Sequence, residues 1–144
     1  EGTMTTIEFL QPMLALIVWT AVVWLWMYAT RIPAMQKAGI DPDTARHPGT
    51  YGDLLPASTR SVADNHNHLH EQPTLFYALM LFIAVTGGMD QTALMLGWAY
   101  VISRIVHSLV QIIIGKVMLR FIVFCLSSII LFVLLGKEVA RVFL

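Results

Sequence analysis

Arg104, His107, Gln111 and Arg120 lie downstream of a polar cluster, DNHNHLHEQPTLFY, that runs from Asp64 to Tyr77. These residue types can do distinct chemistry. A guanidinium stays charged and offers a fork of donors to an anion, whereas Glu71 calls for a cation on a neighbouring helix. The three histidines of the cluster can move protons or bind a metal. Polar groups at such density are costly beside lipid, and ionisable residues inside a membrane mark a functional site by default.

The elements that must position them are transmembrane. Of 144 residues 57% are hydrophobic and 12% charged, and the mean hydropathy of +0.70 excludes an ordinary soluble domain. A net charge of zero without a basic cluster gives no reason to expect nucleic acid. Cys125 stands alone in an apolar run, so neither a disulfide framework nor a thiolate metal site is expected. Glu1 to Thr3, ahead of Met4, read as an appended remnant.

Four crossings are predicted, over about 7–31, 61–87, 91–115 and 117–143, making one all-α integral membrane domain. Phe9 to Thr30 carries no charge, and Trp24, Trp26 and Tyr28 sit where an aromatic belt belongs. Residues 32–60 contain Gly39, Pro42, Pro48, Gly49, Gly52 and Pro56, which break any long helix. A connection of that length is expected to cap a site rather than merely tether two helices. The apolar run after Glu71 is shorter than the roughly 20 residues needed to cross. The second crossing should therefore begin earlier and draw His68 and Glu71 below the headgroups.

Arg104 falls near the middle of the third crossing, where insertion costs about 2.5–3.5 kcal/mol. Tyr100, Arg104, His107 and Gln111 share one helical face, which should look inward. Arg120, Phe124, Ser127 and Ser128 form a second such face. In an unbroken second helix Asp64, Asn67, His68 and Glu71 occupy one arc, with His66 and His70 opposite. Arg104 is the obvious cation for Glu71, and a structural ion pair between them is as reasonable as a ligand-binding role. His66 and His70, spaced i and i+4, could ligate a metal, but no third ligand joins them at helical spacing, and no metal is assigned. Lys and Arg concentrate in the first connection (Arg31, Lys37, Arg46, Arg60) and around Lys116 and Arg120. The positive-inside rule then puts that side in the cytoplasm and both termini outside, although Lys137 and Arg141 count against it.

In their order and spacing these pieces resemble the MAPEG family, membrane-associated proteins in eicosanoid and glutathione metabolism. Arg104-Ile-Val-His107, Gln111 and Leu119-Arg120 are similar to the branch of microsomal prostaglandin E synthase and microsomal glutathione transferase. Glu71 falls on that branch's second-helix glutamate, and Asp41 to His47 (DPDTARH) also matches. The resemblance implies a homotrimer of four-helix protomers that binds glutathione between subunits and acts on a lipophilic small molecule arriving through the membrane lipid. It implies Arg120 at the thiol as the catalytic residue. Glu71 would be at the amino group, with Arg104, His107, His68, Asn67, Gln111 and Arg31 contributing to the pocket. The chain departs from the pattern at several positions. His68 stands where an asparagine is usual, Asn67 replaces an arginine, Gln111 and Phe124 occupy tyrosine positions, and Phe121 replaces a small polar residue. Phe121 and Phe124 are expected to shape the pocket for the second substrate.

The expected activity is that of a glutathione-dependent transferase, by thiolate addition, isomerisation or peroxide reduction. One alternative is a non-catalytic relative that binds lipid or glutathione, with Arg120 an interfacial arginine on lipid phosphate. Another is a metal- or haem-binding bundle using His66, His70 or His107.

Overall fold

The computed structural model describes residues 3–41, 43 and 54–144. Its described residues form five α-helices: α1 Thr6–Ala38, α2 Ala57–His68, α3 Gln72–Val85, α4 Gln91–Leu109 and α5 Val117–Phe143. A π-helical turn, Val110–Ile114, extends α4. Three stretches are long and apolar enough to cross a membrane: α1, α4 with its π turn, and α5.

Helix α1 opens on a capping box. The Glu8 N–H donates to the Thr5 hydroxyl at 3.1 Å, and the Thr5 N–H donates to the Glu8 carboxylate at 2.8 Å, so two otherwise orphaned donors are satisfied. The helix continues past the end of the apolar run, through Arg31 and Pro33, to Gly39, which takes the left-handed conformation (φ 69°) that ends it. At 33 residues and about 1.5 Å per residue it outreaches a hydrocarbon layer about 30 Å thick. Arg31 is accordingly helical and does not begin a loop. Of the connection expected to cap the site, residues 32–38 belong to α1 and 57–60 to α2, while 42 and 44–53, including Arg46 and most of the segment from Asp41 to His47, lie outside the described residues.

The second apolar segment differs from the single helix expected. Helix α2 stops at His68 and α3 begins at Gln72, with Glu71 at φ −93°, ψ −96° between them. Pro73 supplies the reason. In a continuous helix its ring would meet the carbonyl of Leu69 and one backbone bond would be lost, whereas in a first turn the missing N–H costs nothing. Helix α3, with 14 residues, is too short to cross alone.

Phe9, Leu16 and Val23 of α1 pack with Val62 and Leu69 beside α2, Phe76, Met80 and Ile83 of α3, Tyr100 of α4, and Leu134 of α5. Large apolar side chains such as Ile122, Ile129, Phe132 and Val133 point outward from α5, as suits a helix whose surroundings are acyl chains. Polar side chains join the helices inside. Trp19 Nε1 donates to the Ser108 hydroxyl at 3.0 Å, Ser127 to Ser103 at 2.8 Å, Gln72 Nε2 to Ser128 at 2.9 Å, and the Tyr100 hydroxyl to Gln72 Oε1 at 3.1 Å. Each such bond is worth about 0.6 kcal/mol in a membrane protein.

Gly97 of α4 faces side chains of α1 and α3. A Cβ there would lie 3.1 Å from Met80 Cε and 3.5 Å from Pro12 Cγ. Gly97→Ala needs only the flexible end of Met80 to yield and gains about 1 kcal/mol of helix propensity, so its melting temperature in detergent should stay near that of the wild type. Gly97→Val adds two methyl groups to the same space and should destabilise by about 1–3 kcal/mol, measured as a lower melting temperature.

The end of the bundle away from the polar cluster is fastened by ion pairs. Lys137 bonds to Asp90, and Arg141 bonds to Glu138 at 2.7 Å and to the Thr86 hydroxyl at 2.6 Å. Burial alone would raise the Asp90 carboxyl, but hydrogen bonds from Lys137 and the Ala93 N–H outweigh it and hold it below the ordinary carboxylate value.

Candidate functional site

The cleft forms where three parts of the chain meet: the end of α2 with its break, the π turn that ends α4, and the first turns of α5. A cavity of about 410 Å³ opens there, lined by Asp64, His68, Glu71, His107, Gln111 and Arg120 on its polar side and by Val117, Phe121 and Phe124 on its apolar side. That volume lies in the range of small-molecule sites.

Each polar group reaches the cleft for a local reason. His68 is the last residue of α2, and its Nδ1–H donates to the Glu71 carboxylate at 3.1 Å, which fixes the ring tautomer. Its ring lies 4.9 Å from that of His107 and 5.4 Å from that of Phe124. Glu71 sits in the break between α2 and α3, its side chain 68% exposed. Gln111 belongs to the π turn, whose widened ring closes through the Gly115 N–H to the Val110 carbonyl at 2.8 Å. Such turns occur often at functional sites. The side chain of Arg120, in the first turn of α5, forms no hydrogen bond or ion pair within the described residues. Lys116 gives that helix no side-chain cap, so first-turn N–H groups and the positive end of the helix dipole accompany the guanidinium.

Arg104 lies beneath the cleft and is fully buried. Among the described residues none of its three guanidinium nitrogens has a hydrogen-bond partner, and the same is true of His107 Nδ1. Its Cζ is 5.9 Å from the Phe124 ring centroid, a cation–π contact. The inward stripe of Tyr100, Arg104, His107 and Gln111 is buried along its whole length. The expected ion pair between Glu71 and Arg104 is absent among the described residues: Glu71 bonds to His68 instead. The break before α3 is the cause, because it takes Glu71 off the helical arc that would have aimed it inward.

Five of the eight residues singled out from the sequence, Glu71, His68, His107, Gln111 and Arg120, therefore share one cleft, with Arg104 under its floor. Asn67 is exposed on α2, and Arg31 is a helical residue of α1; neither lines this cleft. His66 and His70 face the other way, toward a groove against α1 lined also by Thr20, Trp24 and Tyr77. Their rings are 4.6 Å apart, and the His70 Nδ1–H donates to the His66 carbonyl at 2.8 Å. Among the described residues no group of three or more His, Cys, Asp or Glu could hold a metal.

Sequence reasoning passed over Asn65. It is fully buried and donates from Nδ2 to Gln111 Oε1 at 3.0 Å. A signal existed: Asn65 falls between Val62 and Leu69 on the buried stripe of α2, where a polar residue needs a partner.

A comparison with family models matches residues 9–140 to the MAPEG family. No curated protein and no solved structure matches the chain.

Proposed function

The chain belongs to the MAPEG family, and from that premise we propose that it is a membrane-bound glutathione-dependent transferase acting on a lipophilic electrophile. The observation that carries this reading is a guanidinium with no partner among the described residues, Arg120, in one cleft with an exposed carboxylate, Glu71, above the buried charge of Arg104. Glutathione carries two carboxylates, one ammonium group and a thiol, and this donor set matches it. Arg104 has unsatisfied donors suited to an anion, and Glu71 is an acceptor suited to the ammonium group.

When bound, glutathione supplies a nucleophilic thiol whose unperturbed pKa is about 8.5. Arg120 favours the anionic form by charge and by directed N–H groups. As a fixed donor it can also stabilise negative charge developing in the transition state. Glu71, held by His68, orients the γ-glutamyl end, and His107 and Gln111 complete the polar wall. Phe121 and Phe124, on the apolar side, receive the second substrate from the lipid.

Family kinship supports a homotrimer, with glutathione held between adjacent subunits. We read α2 and α3 in series as the fourth crossing. The cytoplasmic side is assigned to the cleft and the first connection, with both termini opposite, because Lys137 and Arg141 are paired with Asp90 and Glu138 and so weigh little as free positive charge.

Calorimetric titration of the detergent-solubilised protein with glutathione tests the reading. Wild type should bind, and Glu71→Gln, which keeps the shape but loses the charge, should bind at least tenfold more weakly. Equal affinity would remove Glu71 from the site. A second reading, a relative that binds without activating the thiol, is favoured by the lack of any tyrosine among the lining residues.

A further inference from the structure

Asn65 has a role that no bundle-packing requirement supplies. It is fully buried, its Nδ2 donates to Gln111 Oε1 at 3.0 Å, and its Oδ1 is buried with no partner among the described residues. A buried amide with one unsatisfied oxygen stabilises a bundle poorly. Replacing both amides by apolar side chains of similar shape could be neutral or better, whereas replacing Asn65 alone leaves Gln111 Oε1 to find a partner in the cleft. What the amide does accomplish is to fix the orientation of another amide. With Oε1 engaged by Asn65, the Gln111 carboxamide keeps its Nε2 without a partner among the described residues, on a side chain that lines the cleft. The π turn adds rigidity at that place, since Gln111 is held within its ring by the bond from the Gly115 N–H to the Val110 carbonyl.

We propose that Asn65 is a positioning residue that locks the Gln111 carboxamide with its NH2 turned into the cleft, so that Gln111 is a neutral hydrogen-bond donor to an anionic group of the bound thiol peptide. The inference rests on the glutathione reading above. Asn65 itself does not touch the ligand. Without it, the Gln111 amide is free to turn over and present its carbonyl oxygen, which repels an anion where the NH2 attracts one.

The test is a double-variant cycle on the full chain in detergent, with Asn65→Leu, Gln111→Leu and the pair, each titrated with glutathione and each melted without it. Asn65→Leu should weaken glutathione binding about tenfold while the melting temperature of the free protein changes little, because the unsatisfied Asn65 Oδ1 is removed as Gln111 Oε1 loses its partner. Gln111→Leu should weaken binding by at least as much, and the pair should bind no worse than Gln111→Leu alone, because the two residues act through one hydrogen bond. Unchanged affinity in Asn65→Leu overturns the proposal. So do losses that add in the pair, or a lowered melting temperature with affinity intact, which would make Asn65 purely structural. If Asn65→Leu does not assemble, Asn65→Ala removes the amide without adding bulk and carries the same comparison. A wild type that binds no glutathione overturns both this proposal and the reading beneath it. A wild type that binds while Asn65→Leu matches it overturns only this one.

Discussion

Arg120→Ala is expected to abolish the ultraviolet thiolate band that appears when glutathione is added to the solubilised protein, and to lower turnover of a lipophilic electrophile by about 10²–10³-fold, the usual cost of losing one preorganised donor to a developing negative charge. The side chain has no partner in the described residues to restrain it or to compete for it, so its removal leaves no buried charge uncompensated. The melting temperature of the free protein should therefore change little. Arg120→Lys keeps the charge but loses the planar fork and should retain part of the band. The uncapped first turn of α5 supplies a weaker, fixed attraction in every variant, which is why binding should survive better than activation. If the wild type binds glutathione but gives no band, the protein binds the peptide without activating it, and Arg120→Ala should then affect affinity alone.

Arg104→Met is expected to act in opposite directions on the free and the liganded protein. A guanidinium buried inside the bundle, with three nitrogens that lack hydrogen bonds, is held against a desolvation penalty that its contact with Phe124 offsets only in part. An unbranched apolar replacement removes that penalty, so the free protein should melt several degrees higher, in keeping with the roughly 2.5–3.5 kcal/mol that an arginine costs at mid-membrane. The same change takes away the buried positive charge beneath the cleft. Glutathione should then raise the melting temperature far less than it does in the wild type, by the linkage between binding and stability. A lower melting temperature for free Arg104→Met would mean instead that this residue holds the helices together.

The sequence carried the inward faces well, because period and polarity coincide there: Tyr100, Arg104, His107 and Gln111 follow helical spacing in an otherwise apolar run, and all four are buried. It carried the first helix less well. Hydropathy falls at Arg31, but Met35, Gln36, Lys37 and Ala38 are good helix formers, so helicity outlasts apolarity as far as Gly39. The break at Leu69 to Glu71 was hidden because the apolar run after Glu71 is too short to cross alone and so called for the residues before it in one helix, although Pro73 was a visible signal. That oversight propagated to the expected contact between Glu71 and Arg104, which assumed an unbroken helical phase. Asn65 was obscured by its neighbours: amid so many polar residues, the one that faces inward can be told apart only by its spacing from Val62 and Leu69.

The interruption after His68 also has a mechanical meaning. Residues 69–71 are a joint between a half-helix that carries one wall of the cavity and a half-helix whose Phe76, Met80 and Ile83 are locked into the interior. Val62, Asn65 and Leu69 are buried as well, so the joint sets the angle of the cavity wall while the interior clamps it on both sides.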